Sequence, residues 1–213
     1  MINATNCFAK YGDPSSSDFQ ARHMRMWILP PHLQYPGLPK KIFCNLDLIA
    51  PLEQAFTNLV NRGLIGEMKT FDGCFNVRKI RGYENSSDPK YYSLHSWGIA
   101  VDINGKDNPL GKEPKLSGDF VKCFLDAGFD WGGAFKRKDG MHFQLSKIYP
   151  MYLLQVVPSK SRWLKRRQWF SRIVVNGETV WTGETVYNRQ DCIETITRLS
   201  KHMVPGSFKL EIL

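Results

Sequence analysis

The 213-residue chain has no run approaching the ~20 uninterrupted apolar residues that a membrane-spanning helix needs. Its opening stretch, MINATNCFAKYGDPSSSD, lacks the basic-then-apolar build of a secretory signal, so a soluble protein not exported by that route is expected. There is no CxxC pair. The five cysteines, Cys7, Cys44, Cys74, Cys123 and Cys192, are odd in number and scattered, which fits reduced, mostly buried thiols and excludes a disulfide framework or a cysteine-built zinc site. Internal repeats and long low-complexity tracts are also missing. Acidic groups are in the minority, 20 against 29 Lys and Arg, for a formal net charge of +9. That surplus favours a polyanionic partner, whether nucleic acid, anionic lipid or bacterial cell wall, without choosing among them. A content of 42% hydrophobic and 13% aromatic residues argues against intrinsic disorder, and the length suits one domain with a small appendage.

Residues 1–45 are rich in turn formers (Asp13-Pro14-Ser15, Pro30-Pro31, Pro36-Gly37, Pro39) and read as an irregular N-terminal wrap anchored by Trp27, Ile28 and Leu29. From Asp47 to Leu64, Leu48, Leu52, Ala55, Phe56, Leu59 and Val60 recur at helical spacing, with Pro51 tolerable only in the first turn. Thr70–Ile80 and Ile99–Ile103 read as strands, the latter as a β-branched alternation. Asp119–Ala127 reads as a helix with Ser117 as cap and Gly128 as stop, and Met141–Leu145 as a short strand. Then the character changes. Ser159–Arg167 is basic, a linker or an exposed binding face, and Asn176-Gly177 between apolar runs signals a hairpin. A helix carrying Ile193, Ile196, Leu199 and Met203 completes a ββα unit. The class is therefore α+β. A small antiparallel sheet with packed helices occupies residues 46–155, and a basic ββα module occupies 160–213.

The chemistry lies in two segments. In SLHSWGIAVDIN, His95 and Asp102 are seven residues apart, an odd separation that puts them on opposite faces of an unbroken strand. A bend at Gly98 reconciles them, leaving His95 in the approach and Asp102 projecting from the strand toward the same point. The second segment, WGGAFKRKDGMHFQ, supplies His142 with Asp139 three residues before it. Two neutral imidazoles and a carboxylate make a three-ligand zinc site with one position open for water, and Asp139 would then serve as general base. A single His before a strand is more often structural than a ligand. An aspartate inside an apolar strand is harder to dismiss, because an unpaired buried carboxylate is costly.

Together, SLHSWGIAVDIN and WGGxFxxxDxMHF resemble the zinc D-alanyl-D-alanine carboxypeptidase and L-alanyl-D-glutamate endopeptidase family, whose pattern is SxHxxGxAxD followed by (D/E)xxH. The chain matches at Ser93, His95, Gly98, Ala100 and Asp102, then at Asp139 and His142, and the likeness runs over roughly residues 40–150. Asp at the base position, with WGG before it, is most similar to the phage endolysin branch; the dipeptidase branch usually has Glu there. The resemblance implies that His95, Asp102 and His142 bind zinc and that Asp139 activates the water. It also implies an arginine supporting the developing oxyanion, for which Arg78 is the first choice and Arg81 the second. Ser93 is a candidate contact to substrate, or a plain turn residue. Trp97 and Trp131 are candidates for the wall of a substrate groove, or for the core.

The function this implies is cleavage of peptidoglycan peptide stems, first as an L-Ala–D-Glu endopeptidase and second as a D-Ala–D-Ala carboxypeptidase. The expected partner is bacterial peptidoglycan, with no membrane, a nucleic-acid role resting on charge alone, and a monomeric state. The expected location is a host cytoplasm before release to the wall, or a virion. A rival from another class is a non-catalytic wall-binding or virion protein that kept the fold.

Overall fold

The computed structural model describes residues 2–148, 152–158, 168–175, 178–183, 186, 188–200 and 208–212. The chain divides into two compact units, Met1–Ile148 and Tyr149–Leu213. The boundary thus falls before residue 155, where the catalytic segment was expected to end.

The N-terminal unit begins with helix α1 (Ala4–Tyr11), whose cap Asn3 and first-turn Asn6 satisfy each other's backbone N–H groups, and helix α2 (Ser17–His23), capped by Ser16. Strands β1 (Met24–Ile28) and β2 (Lys41–Asn45) pair antiparallel as a separate two-stranded sheet. The expected irregular wrap is therefore corrected. Its Asp, Pro and Ser clusters mark the joints between regular elements, and Phe19, Met24, Leu29 and Leu33 are buried in the core. Helix α3 (Leu46–Asn61) follows at once, with Asn45 accepting from the Asp47 N–H. Pro51 sits beyond the first turn, so α3 forgoes one backbone hydrogen bond. Its Leu48, Leu52, Ala55, Phe56 and Leu59 are all fully buried.

The principal sheet has the order β3-β4-β6-β5, built from β3 (Phe71–Gly73), β4 (Ala100–Ile103), β5 (Phe129–Trp131) and β6 (His142–Leu145), all antiparallel. Only three residues of the expected Thr70–Ile80 strand are strand; beyond Gly73 the backbone bonds to residues 91–95 instead, the Asn76 N–H donating to the His95 carbonyl and the Ile80 N–H to the Tyr91 carbonyl. Helix α4 (Gly118–Asp126) is capped by Ser117. Register sorts the side chains. Val101, Ile103, Phe129, Phe143 and Leu145 face the helices, where the Phe124 and Phe143 rings stack with centroids 4.3 Å apart. Asp102 and His142, directly paired across β4 and β6, take the other face.

The 3-10 turn Leu94–Trp97 leads into β4 and ends at Gly98, which adopts the left-handed conformation (φ 63°, ψ 32°). A Cβ there would lie 2.7 Å from Met24 Cε and 3.0 Å from the Asn45 backbone nitrogen. The turn is also tied down from outside. Asn45 donates from its backbone to the Gly98 carbonyl and from its side chain to the Trp97 carbonyl, and Trp97 Nε1 donates to the Gly12 carbonyl.

The C-terminal unit contains β7 (Tyr152–Pro158), β8 (Trp169–Val175), β9 (Glu178–Thr182), helix α5 (Arg189–Ser200) and β10 (Phe208–Ile212). The sheet order is β10-β7-β8-β9, with β10 parallel to β7 and the other pairs antiparallel. The expected ββα unit is present as β8, β9 and α5, but it is flanked by β7 and β10, which were not anticipated. Cys192 and Ile196 of α5 are buried, as are Leu154, Val156 and Val174 of the sheet. The basic stretch 159–167, the Asn176-Gly177 turn, His202 and Met203 lie outside the described residues.

Replacing Gly98 with Ala is expected to cost at least about 2 kcal/mol, combining left-handed strain with crowding against Met24 and Asn45. Urea unfolding of the two proteins measures it; an unchanged midpoint would remove Gly98 as the pivot of the turn.

Candidate active site

His95, Asp102 and His142 come from a 3-10 turn and two adjacent strands, and they meet at one point. His95 Nε2 is 3.1 Å from His142 Nδ1, and each of these nitrogens is 3.2 Å from Asp102 Oδ1. The opposite ring nitrogens are engaged elsewhere. His95 Nδ1 donates to the Cys74 carbonyl at 2.7 Å, and His142 Nε2 donates to Gln144 Oε1 at 3.2 Å. Each neutral imidazole carries one proton, and those two contacts use both. The three converging atoms are then three lone pairs, which repel unless a cation sits among them. The donor set fits zinc, for which ligands at about 2.0–2.1 Å in a tetrahedron stand roughly 3.3–3.4 Å apart. Among the described residues this is the only group of three or more His, Cys, Asp or Glu able to hold a metal ion.

The two histidines are nearly buried, 3% and 9% exposed, which fixes their rings. Burial works against the charge on Asp102, but with no metal bound a proton taken up by His142 or His95 is donated to it, and these contacts, His142 first and then His95, more than offset burial and hold its carboxyl well below the usual carboxylate range.

Asp139 lines the same cleft, of about 420 Å³, as the three converging side chains. Its backbone N–H donates to the Gly132 carbonyl at 2.9 Å, and its own carbonyl accepts from the His142 N–H at 3.1 Å. Gly132 is required for this approach, since a Cβ there would lie 2.4 Å from the Asp139 carbonyl oxygen. Asp139 Oδ1 is buried without a hydrogen-bond partner within the protein. Burial first, and the nearby Asp102 charge second, push its pKa above the usual value, although the imidazoles and Arg81 pull the other way. A carboxylate so placed is suited to taking a proton.

Arg78, Arg81 and Ser93 also line the cleft. Arg78 is not on a strand. Its backbone is stitched to the 93–96 turn, with its carbonyl accepting from the Ser93 N–H and its N–H donating to Ser96 Oγ. Ser93 Oγ caps the turn by accepting from the His95 N–H. The two tryptophans do not line this cleft. Trp97 is fully buried, edge-on to Phe8 and Tyr92. Trp131 falls on the core face by strand parity, stacks on Phe143 at 6.4 Å and donates from Nε1 to the Gly140 carbonyl. For both, the core alternative holds.

The residue reading missed Gln144, the Cys74 carbonyl, and the cleft-lining Ile2, Asn3, Ala4 and Arg137. Alternation along His142-Phe143-Gln144 signals that Gln144 shares the His142 face; the others carry no local signal. No cysteine is a nucleophile candidate. All five are buried, and burial pushes the Cys7 and Cys44 thiols up to about 12. His23 packs between Tyr11 and Phe19, away from the site.

An α+β unit that turns two imidazoles and one carboxylate toward a common point, with a second carboxylate beside them, defines a metallohydrolase-type centre. Residues 86–145, about a quarter of the chain, match the family model described as D-alanyl-D-alanine carboxypeptidase, and this segment is similar to that family. The match spans both motifs, though less of the chain than the roughly 40–150 expected from them. No curated protein and no solved structure matches the chain.

Because Gln144 holds the His142 tautomer, Gln144→Met is expected to weaken zinc binding about 10–100-fold with secondary structure unchanged. Competition against a chromogenic chelator, with circular dichroism as control, measures this; unaltered affinity would show that the Gln144 contact is incidental.

Proposed function

We propose that the chain hydrolyses the peptide stems of bacterial peptidoglycan, with the L-Ala–D-Glu bond as its first target. The observation that carries the proposal is the convergence of three lone pairs beside the unpartnered Asp139 carboxylate in one cleft. His95, Asp102 and His142 would hold the metal. Zinc, when bound, supplies Lewis acidity, polarising the scissile carbonyl and acidifying an adjacent water. Asp139 takes the proton of the attacking water and delivers it to the departing amine. Arg78, or Arg81 in its place, donates to the carbonyl oxygen as negative charge gathers there, a contact that strengthens toward the transition state. Ser93, by capping the turn, keeps His95 in position.

The choice of bond rests on Asp at the base position and the WGG run before it, which are similar to the endolysin branch. The second reading, a D-Ala–D-Ala carboxypeptidase, is favoured by the description of the matching family model. A phage-lysis role goes with the first reading, with storage in a host cytoplasm or a virion. No described helix is long and apolar enough to cross a membrane. The excess of basic groups suits an anionic wall polymer as partner.

Digestion of purified peptidoglycan, with the new termini identified by mass spectrometry, tests the proposal and separates the two bonds. Chelation is expected to abolish release and added zinc to restore it. Asp139→Asn should lower the rate by about 10²–10⁴-fold. His142→Ala should end lysis while co-sedimentation with cell walls persists. Undiminished lysis by His142→Ala would overturn the hydrolase reading, and the absence of any released terminus from the zinc-loaded protein would favour a binding protein.

A further inference from the structure

Arg78, Arg81 and Arg137 all line the cleft that holds the metal-binding cluster, against only two carboxylates, Asp102 and Asp139. None of the three forms an ion pair among the described residues, although Arg62 pairs with Asp126 and Lys138 with Glu113. Arg78 and Arg81 belong to one segment, stitched to residues 91–96, and have a proposed part at the scissile carbonyl. Arg137 comes from another, the loop between the 3-10 turn Gly132–Ala134 and β6.

That loop is braced on both sides of Arg137. The Gly132 carbonyl accepts from the Phe135 and Asp139 N–H groups at 3.0 and 2.9 Å, and the Lys138 carbonyl accepts from the Gly111 N–H at 2.6 Å. Lys138, the next residue, has its carboxylate in Glu113; Arg137 is exposed and has none. A guanidinium on a fixed backbone loses less freedom on taking a ligand than one on a loose loop. Its planar fork matches a carboxylate through two parallel N–H···O bonds and gains charge assistance that an amide does not provide.

Arg137 stands two residues from Asp139, a span of at most about 7 Å of backbone, comparable to two residues of an extended peptide. A group it binds would therefore lie one or two residues from the cut bond. We propose that Arg137 recognises a carboxylate of the substrate peptide flanking the scissile bond and makes the enzyme selective for acidic over amidated stems. This deepens the hydrolase reading and rests on it. In a stem cut between L-Ala and D-Glu, the free carboxylate of the glutamyl residue is the group so placed.

The test uses one synthetic stem peptide prepared with that carboxylate free and as its primary amide, cleaved by the wild-type protein, Arg137→Ala and Arg137→Lys, each loaded with zinc. The wild type is expected to favour the acid about tenfold or more in kcat/KM. Arg137→Ala should lose that preference through KM, with kcat and the amide reaction changed less than about twofold, and Arg137→Lys should recover part of it. Equal losses on both peptides, or no acid preference in the wild type, would overturn the proposal. If the folded, zinc-loaded protein cleaves neither peptide, the hydrolase reading falls. Fluorescence anisotropy with the same peptide pair then decides Arg137 separately, by whether tighter binding of the acid disappears in Arg137→Ala.

Discussion

Three acceptor atoms held 3.1–3.2 Å apart, with no proton left to place between them, form the constraint on which this site turns. Without a cation the arrangement is repulsive, and the fold must pay for it through interactions elsewhere. The cost is met by fixing the far side of each ring. The Cys74 carbonyl and the Gln144 amide oxygen take the two imidazole protons, and the surrounding core leaves the rings little freedom. The outcome is a centre organised by the protein that could hold a metal ion, and in such centres outer contacts matter to affinity.

The two strands supply Asp102 and His142 by simple alternation, since direct pairing across β4 and β6 places both on one face. His95 needs a different device. It arrives on a 3-10 turn that must reverse at Gly98, and that turn is held by Asn45, Gly12 and the packing of Phe8 on Trp97. The first 45 residues, outside the segment that matches the family model, thus brace one of the three side chains that could hold a metal ion. Their outermost part, Ile2 to Ala4, reaches the cleft itself.

Within the cleft, environment separates two chemically identical side chains. Asp102, between two imidazoles, is kept charged, whereas Asp139, buried and without a hydrogen-bond partner on Oδ1, is pushed toward protonation. One carboxylate is thereby suited to hold a cation and the other to exchange a proton. Around them Arg78, Arg81 and Arg137 line the cleft with positive charge.

The helices, the central strands and the convergence of His95, Asp102 and His142 could be read from the chain because each depends on local pattern. Helical spacing marked α3 and α4, alternation marked β4 and β6, and a glycine between His95 and Asp102 signalled the bend. The N-terminal elements were hidden because Pro, Ser and Gly clusters look alike whether they punctuate helices or form a loop. Strands β7 and β10 were missed because a short apolar run becomes a strand only when a partner pairs with it. Trp97 and Trp131 were ambiguous for a related reason: a tryptophan beside a motif has no inherent direction until register and packing assign it a face. The sequence by itself determined which groups could bind a metal and carry a proton, since that is a property of side-chain chemistry and spacing. Only the tertiary structure decided which nitrogens face one another at the centre, which arginines reach the cleft and which aromatics leave it, because those depend on contacts between segments far apart in the chain.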